Sequence, residues 1–206
     1  MNKQDAIIVG AGGFGKEMME LVTLEYNLLG FVDDGREGVI HGYKILGKVD
    51  SLLSYKSEVN VFICIAKPAI RKKIYTILSS NKNLLFPALI SKNTKISKFV
   101  NIGQGSIICD NVVITTDTVI KDFCIIDNSC LIGHDDIISE FVTIYPGAIV
   151  AGNVEIQKEV EIGTGSRIIQ GLVVGNNSIL GAGAVVVRDI PNECTAVGIP
   201  AKPIIK

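Results

Sequence analysis

Histidine is scarce in this 206-residue sequence: there are two, His41 and His134. A zinc site built from three imidazoles is thereby argued against, and no metal is expected. Cysteine is present five times, an odd number with no CxxC spacing, so neither a disulfide framework nor a thiolate metal cluster is indicated. Excess charge is also missing. The formal net charge is -1, and the one compact basic cluster, Arg71, Lys72 and Lys73, is too small for a nucleic-acid surface. No apolar stretch reaches the ~18 uncharged residues that a membrane span requires, and no basic segment followed by an apolar core opens the chain. These absences leave a soluble, cytoplasmic protein with no nucleic-acid partner and no membrane insertion as the expectation. An apolar content of 48% is ample for one large or two small cores.

What is present is a repeat. Sixteen aliphatic residues, from Ile96 to Val186, fall on one unbroken stride of six. That period suits neither an α-helix nor ordinary hairpins, and it marks a parallel β-helix in which each hexad supplies one face and one inward aliphatic. The residue four further on is often small or aliphatic, as at Ser106, Val112, Thr118, Cys124, Cys130, Val142 and Ala148, and it also reads as interior. Outward apolar residues such as Ile107, Val113, Ile125, Leu131, Ile149 and Val185 favour self-association.

Before the repeat, the order is that of a small α/β domain. Residues 5–10 are an apolar strand running into Gly10-Ala11-Gly12-Gly13-Phe14-Gly15 and a helix-compatible segment. Leu28 to Val32 ends in Asp33-Asp34-Gly35, and Val59 to Ala66 is followed by the helical pattern after Pro68. Alternation of this kind implies a Rossmann-like parallel sheet with its ligand crevice at the strand C-termini. The boundaries read as 1–86 for this domain, 87–93 for a linker, 94–190 for the β-helix and 191–206 for an irregular tail. Backbone N–H groups of the glycine turn, at a helix N-terminus, suit a phosphate. About three strands is small for a whole NAD, so a mononucleotide sugar fits better, with NAD and a turn that binds nothing as the alternatives. His41, in a Gly- and charge-bearing loop, reads as an exposed filler.

Stacking hexads in threes gives coils of eighteen residues, so ladders are read by adding eighteen. His134 then lies between Thr116 and Gly152, where a missing side chain leaves room for a ligand, and Asp135 lies between Asp117 and Asn153. A carboxylate beside a histidine orients the ring and stabilises its protonated form, which is what a general base requires.

The GAGGFG turn, the FVDD segment, the IRKKI helix, the hexads containing IGHDDII and PGAIVAGNV, and the ending LGAGAVVVRDIPNECTAVGIPAKPI together resemble one family. It is the sugar O- and N-acetyltransferases of the sialic acid O-acetyltransferase type, including those that act on nucleotide-linked 4-amino sugars in surface glycan biosynthesis. The resemblance covers nearly the whole chain. It implies a left-handed β-helix, a homotrimer, and acetyl-CoA as co-substrate in the groove between adjacent helices. It also implies N-acetylation of a nucleotide-activated amino sugar by direct attack, with His134 as general base and Asp135 as its orienting acid. O-acetylation of sialic acid or another glycan hydroxyl, and a non-catalytic trimeric scaffold, are the alternatives. Gly152, Thr164 and Ala182 match coenzyme-contact positions, Gly12, Gly13 and Phe14 the turn that meets the sugar nucleotide, and Asp33 and Asp34 the acidic pair near its nucleoside. The chain departs from relatives at Thr143 and Phe14, where histidine is frequent. At Thr143, contact with the thioester would be weaker or made by the hydroxyl. At Ala66-Lys67-Pro68, which replaces an Asn-rich turn, Lys67 could meet a phosphate.

Overall fold

The computed structural model describes residues 3–204 and divides into two compact units between Leu89 and Ile90. The first is the α/β unit. Strand β1 (Asp5–Val9) lies at its centre because it is apolar on both faces, as a strand covered by helices must be, and Ala6 to Val9 are wholly buried. Helix α1 (Gly13–Glu25) follows and buries Gly15, Met18, Leu21 and Val22, a stripe at helical spacing. Strand β2 (Asn27–Val32) pairs parallel with β1. A hairpin of β3 (Val39–Ile40) and β4 (Tyr43–Gly47) then extends the sheet, turning at His41-Gly42, where both residues have positive φ (46° and 89°). Strand β5 (Val59–Ile63), helix α2 (Pro68–Leu78) and β6 (Leu84–Leu85) complete a sheet of order β3-β4-β2-β1-β5-β6. The hairpin is the element that periodicity missed, being too short to show one. His41 is exposed, as expected.

Helix α2 starts with Pro68 at its first turn, where a missing N–H costs nothing. It corrects one expectation. Arg71 is not part of a surface basic cluster; it is fully buried, and its Nη1 donates to the carbonyls of Ile65 (2.7 Å) and Ala66 (2.9 Å), fixing the chain where it leaves β5.

The second unit is the left-handed parallel β-helix. Its rungs are two-residue strands in three parallel sheets, with partners eighteen residues apart, as in Ile125↔Thr143 and Leu131↔Ile149. From Ile108 to Val186 every stride-six aliphatic is buried, each worth roughly 1.5–3 kcal/mol of hydrophobic stabilisation. Nearly every corner bends through one left-handed residue six positions on from the last, among them Asn111, Asp117, Phe123, Ser129, Asp135, Phe141 and Asn153. Asn and Asp tolerate that conformation better than other non-glycine residues. The right-handed rule for parallel crossovers does not hold here, because each connection is a tight corner rather than a helix packed on a sheet.

Three boundaries and surfaces differ from expectation. Ser91 N–H already donates to Ile108 O (2.9 Å), so the ladder begins inside the stretch read as a linker over 87–93. Thr195–Val197 pairs parallel with Ile179–Leu180 and antiparallel with Lys202–Ile204, so the tail adds a rung and a hairpin. Ile107 and Ile125, read as exposed, are buried, whereas Leu131 is exposed and Val113, Ile149 and Val185 are half-buried.

Candidate active site

In the α/β unit the six-residue glycine turn splits into two kinds of glycine. A methyl at Gly15 would overlap the Gly10 carbonyl, with Gly10 C at 2.9 Å, so helix α1 can approach β1 this closely only without a side chain there. Gly12 and Gly13 have nothing within 4 Å of the corresponding position and face open space. The turn is held by Asp33: its Oδ2 accepts the N–H of Ala11 (2.8 Å) and its Oδ1 that of Gly35 (2.9 Å). Asp34 accepts the N–H of Val49 (2.9 Å). Arg36, which sequence reasoning passed over, donates through Nη1 to Ala11 O (2.9 Å). Its only signal was its place just after the acidic pair.

A cavity of ≈ 750 Å³ opens beside these groups, lined by Asp33, Asp34, Arg36, Glu37, Ile45 and Lys48 among others. A second, of ≈ 570 Å³, shares Asp34 and Lys48 and reaches Ile70, Lys73 and Ile77 of α2. The first contains the acidic pair expected near a nucleoside, and the second only its Asp34. Gly12, Gly13, Phe14 and Lys67 are not among their lining residues.

In the β-helix, His134 and Asp135 occupy the corner after strand Leu131–Ile132. His134 Nδ1 lies 2.7 Å from Asp135 Oδ2, and both side chains are well exposed, at 63% and 59%. Asp135 N–H donates to Thr116 O (3.1 Å) and Asn153 N–H to His134 O (2.7 Å), so the eighteen-residue ladders are those read from the sequence. Gly152 plays a different part from the one expected. The space its missing side chain leaves is filled by the His134 ring: a methyl there would fall 2.5 Å from Cε1 and 2.8 Å from Cδ2. A methyl at Gly133 would meet Gly152 N at 2.5 Å, so these two corners press together backbone to backbone. A shallow cavity of ≈ 220 Å³ adjoins them, lined by Asp135, Asn153, Val154 and Glu155 among others.

Asp136 is the residue the sequence reading missed, although the ladder contained it: it stands four after Ile132, at an inward position. It is fully buried, Oδ1 accepts the N–H of Val154 (2.8 Å), and Oδ2 has no hydrogen-bond partner. Burial pushes its carboxyl up to about 7, against the lowering effect of the Val154 and Gly133 backbone and of His134.

Over the whole chain, the acetyltransferase domain of PglB from Neisseria gonorrhoeae FA1090 superposes with a TM-score of 0.93 at 33% identity, covering 98% of this chain and 100% of that one. The chain belongs to the hexapeptide-repeat nucleotide-amino-sugar N-acetyltransferases. The family model "PglD N-terminal domain" matches residues 5–78. PerB from Caulobacter crescentus, solved in complex with CoA and GDP-perosamine, has a TM-score of 0.91 at 26% identity over 98% of this chain and 97% of its own. A serine acetyltransferase of Synechococcus elongatus is 32% identical over 130 residues, 63% of this chain and 48% of that protein. The chain thus spans less than half the length of this curated relative.

For a member of this family the remaining expected positions are divided. Thr143 is wholly buried between Ile125 and Glu161 in its sheet. Thr164 and Ala182 are exposed, at the corner that follows strands Glu161–Ile162 and Ile179–Leu180, not at the corner of His134 and Gly152. One chain therefore brings together His134, Asp135 and Gly152 and leaves Thr164 and Ala182, expected to contact coenzyme, at a separate edge. Among the described residues no helix is long and apolar enough to cross a membrane.

Proposed function

We propose that the chain transfers the acetyl group of acetyl-CoA to the amine of a nucleotide-linked amino sugar, with His134 as general base. The observation that carries this is the His134–Asp135 pair seated on Gly152, in a chain whose α/β unit also holds a cavity lined by Asp33 and Asp34. PglB and PerB were solved with acetyl coenzyme A and with CoA and GDP-perosamine respectively, which supports the same pair of substrates here. With Nδ1–H donated to Asp135, the Nε2 lone pair is free. It accepts the proton of the sugar amine as the nitrogen attacks the thioester carbonyl, and the thiolate leaves with no acyl-enzyme.

The separation of Thr164 and Ala182 from His134 within one chain supports a homotrimer in which neighbouring β-helices complete each coenzyme groove. The half-exposed stripe of Val113, Leu131 and Ile149, on adjacent rungs of one face, is apolar surface such an interface would bury. Acetyl-CoA and a nucleotide-linked sugar as substrates would place the chain in the cytoplasm. The test is thiol release from acetyl-CoA with UDP-, dTDP- and GDP-linked 4-amino sugars. Release is expected with one of them and a fall of at least ~100-fold in His134→Ala. Unchanged turnover in that variant removes the base, and release only with a hydroxyl acceptor replaces N- by O-acetylation.

A further inference from the structure

Several inward side chains of the β-helix share one hydrogen-bonding step. Ser106 Oγ donates to Lys121 O (2.9 Å), Thr118 Oγ1 to Gly133 O (2.7 Å), Cys124 Sγ to Ser139 O (3.0 Å) and Cys130 Sγ to Tyr145 O (3.2 Å), each fifteen residues on. Each is a protonated group reaching a corner carbonyl of the following coil. Ser106 Oγ also accepts the N–H of Cys124 (3.0 Å), one coil ahead. Asp136 stands in the same ladder as Thr118, one coil on, and its Oδ1 accepts the N–H of Val154 just as Ser106 accepts that of Cys124. The fifteen-residue step from Asp136 leads to the carbonyl of Ala151. An ionised carboxylate has no hydrogen to give, and Oδ2 is buried and without a donor. A carboxylic acid would complete the pattern.

We propose that Asp136 is a positioning residue of the His134 site: a neutral carboxylic acid that accepts the Val154 N–H, donates to the Ala151 carbonyl, and so fixes the corner on which the imidazole rests. Gly152, the surface under the ring, lies between those two contacts. The charged and titratable groups at this place are His134 and Asp135 on its own corner, Asp117 on the coil before and Glu155 on the coil after. Its ladder neighbours one coil to either side are the uncharged Thr118 and Val154. Burial, which raises the carboxyl, outweighs the nearby imidazole, and Asp135 acts in the same direction as burial. Loss of the proton puts a buried negative charge beside His134, which holds the imidazolium and withdraws the base. As a role in catalysis this rests on the acetyltransferase reading; as a statement about the two side chains it does not.

The experiment is therefore an NMR titration of the full chain, following ¹³C-labelled aspartate carboxyls and the two imidazoles, in wild type, Asp136→Asn and Asp136→Ser. His41, exposed in the other unit, is the internal control. One wild-type carboxyl, absent from both variants, is expected to titrate near neutrality, and the His134 ring resonances are expected to sense that transition in wild type and to lose it in both variants, while those of His41 are the same in all three. Asn and Ser each supply an acceptor and a donor, so both variants are expected to fold. A carboxyl midpoint near 4, or His134 resonances in wild type that do not sense the carboxyl transition, overturns the proposal. If the carboxyl and the His134 resonances behave as stated but no nucleotide sugar is acetylated, the proposed function fails and the neutral acid stands.

Discussion

Replacing Gly152 by alanine separates the catalytic geometry from the fold. The three heavy atoms nearest to the added methyl all belong to the His134 ring, with Cε1 at 2.5 Å and Cδ2 at 2.8 Å, well inside contact distance. The ring is the far end of a flexible side chain and is 63% exposed, so it swings out rather than unfolding the coil. What is lost in stability is an exposed hydrogen bond to Asp135, worth about 1 kcal/mol at most. Against that, alanine in place of glycine gains about 0.4–1 kcal/mol from the unfolded state, because φ here is not positive. The net change is within about 1 kcal/mol. The rate consequence is much larger: a base displaced from its seat forfeits general-base catalysis, ~10²–10⁴-fold. Initial rates of thiol release, with thermal melts on the same samples, measure both effects. The double variant Gly152→Ala/His134→Ala should be no slower than His134→Ala alone, since both remove one function. A Gly152→Ala enzyme that folds normally and turns over within about threefold of wild type would refute the seating of His134 on Gly152.

Other outcomes are equally concrete. Asp33→Ala removes the acceptor of the buried Ala11 N–H, and should lower stability by about 1–3 kcal/mol in a denaturant melt and weaken calorimetric binding of UDP, dTDP or GDP at least tenfold. Undiminished nucleotide affinity would place the nucleotide elsewhere. For Asp136 the linkage has a definite sign: the folded carboxyl is raised from 3.8 to about 7, so the native state keeps a proton that the unfolded chain has released. Its stabilising effect is complete below pH 4 and is lost as pH rises to about 7, at roughly 1.4 kcal/mol per unit. Melts of Asp136→Asn should therefore gain on wild type across that window and run parallel to it above, whereas parallel curves throughout would mean an ordinary carboxylate.

How much of this was legible in the sequence varies with the physical origin of each feature. The hexad stride gave the β-helix because a coil of fixed length puts every sixth side chain in the same interior environment, and the eighteen-residue ladder located His134 opposite Gly152 correctly. The meaning of that glycine was not legible. Spacing can place a missing side chain beside a ring, but whether the ring or a ligand fills the gap depends on a rotamer. Arg71 and Asp136 failed for a related reason: charged residue types suggest surface, and only the backbone carbonyls of Ile65 and Ala66, or the N–H of Val154, make their burial tolerable. The hairpin after Asp34 has strands too short for any period to register.

By itself, then, the sequence determined the two-unit order, the parallel sheet ending in a glycine turn, the coil repeat and the His134–Asp135 pair, because each is a matter of periodicity or adjacency along the chain. The tertiary structure alone decided that the imidazole is seated on Gly152, that Asp33 and Arg36 hold the glycine turn, that Thr143 is buried, and that Thr164 and Ala182 stand at another edge. Those depend on which groups the folded backbone brings within a few ångströms of each other across coils and strands, and no spacing along one chain carries that information.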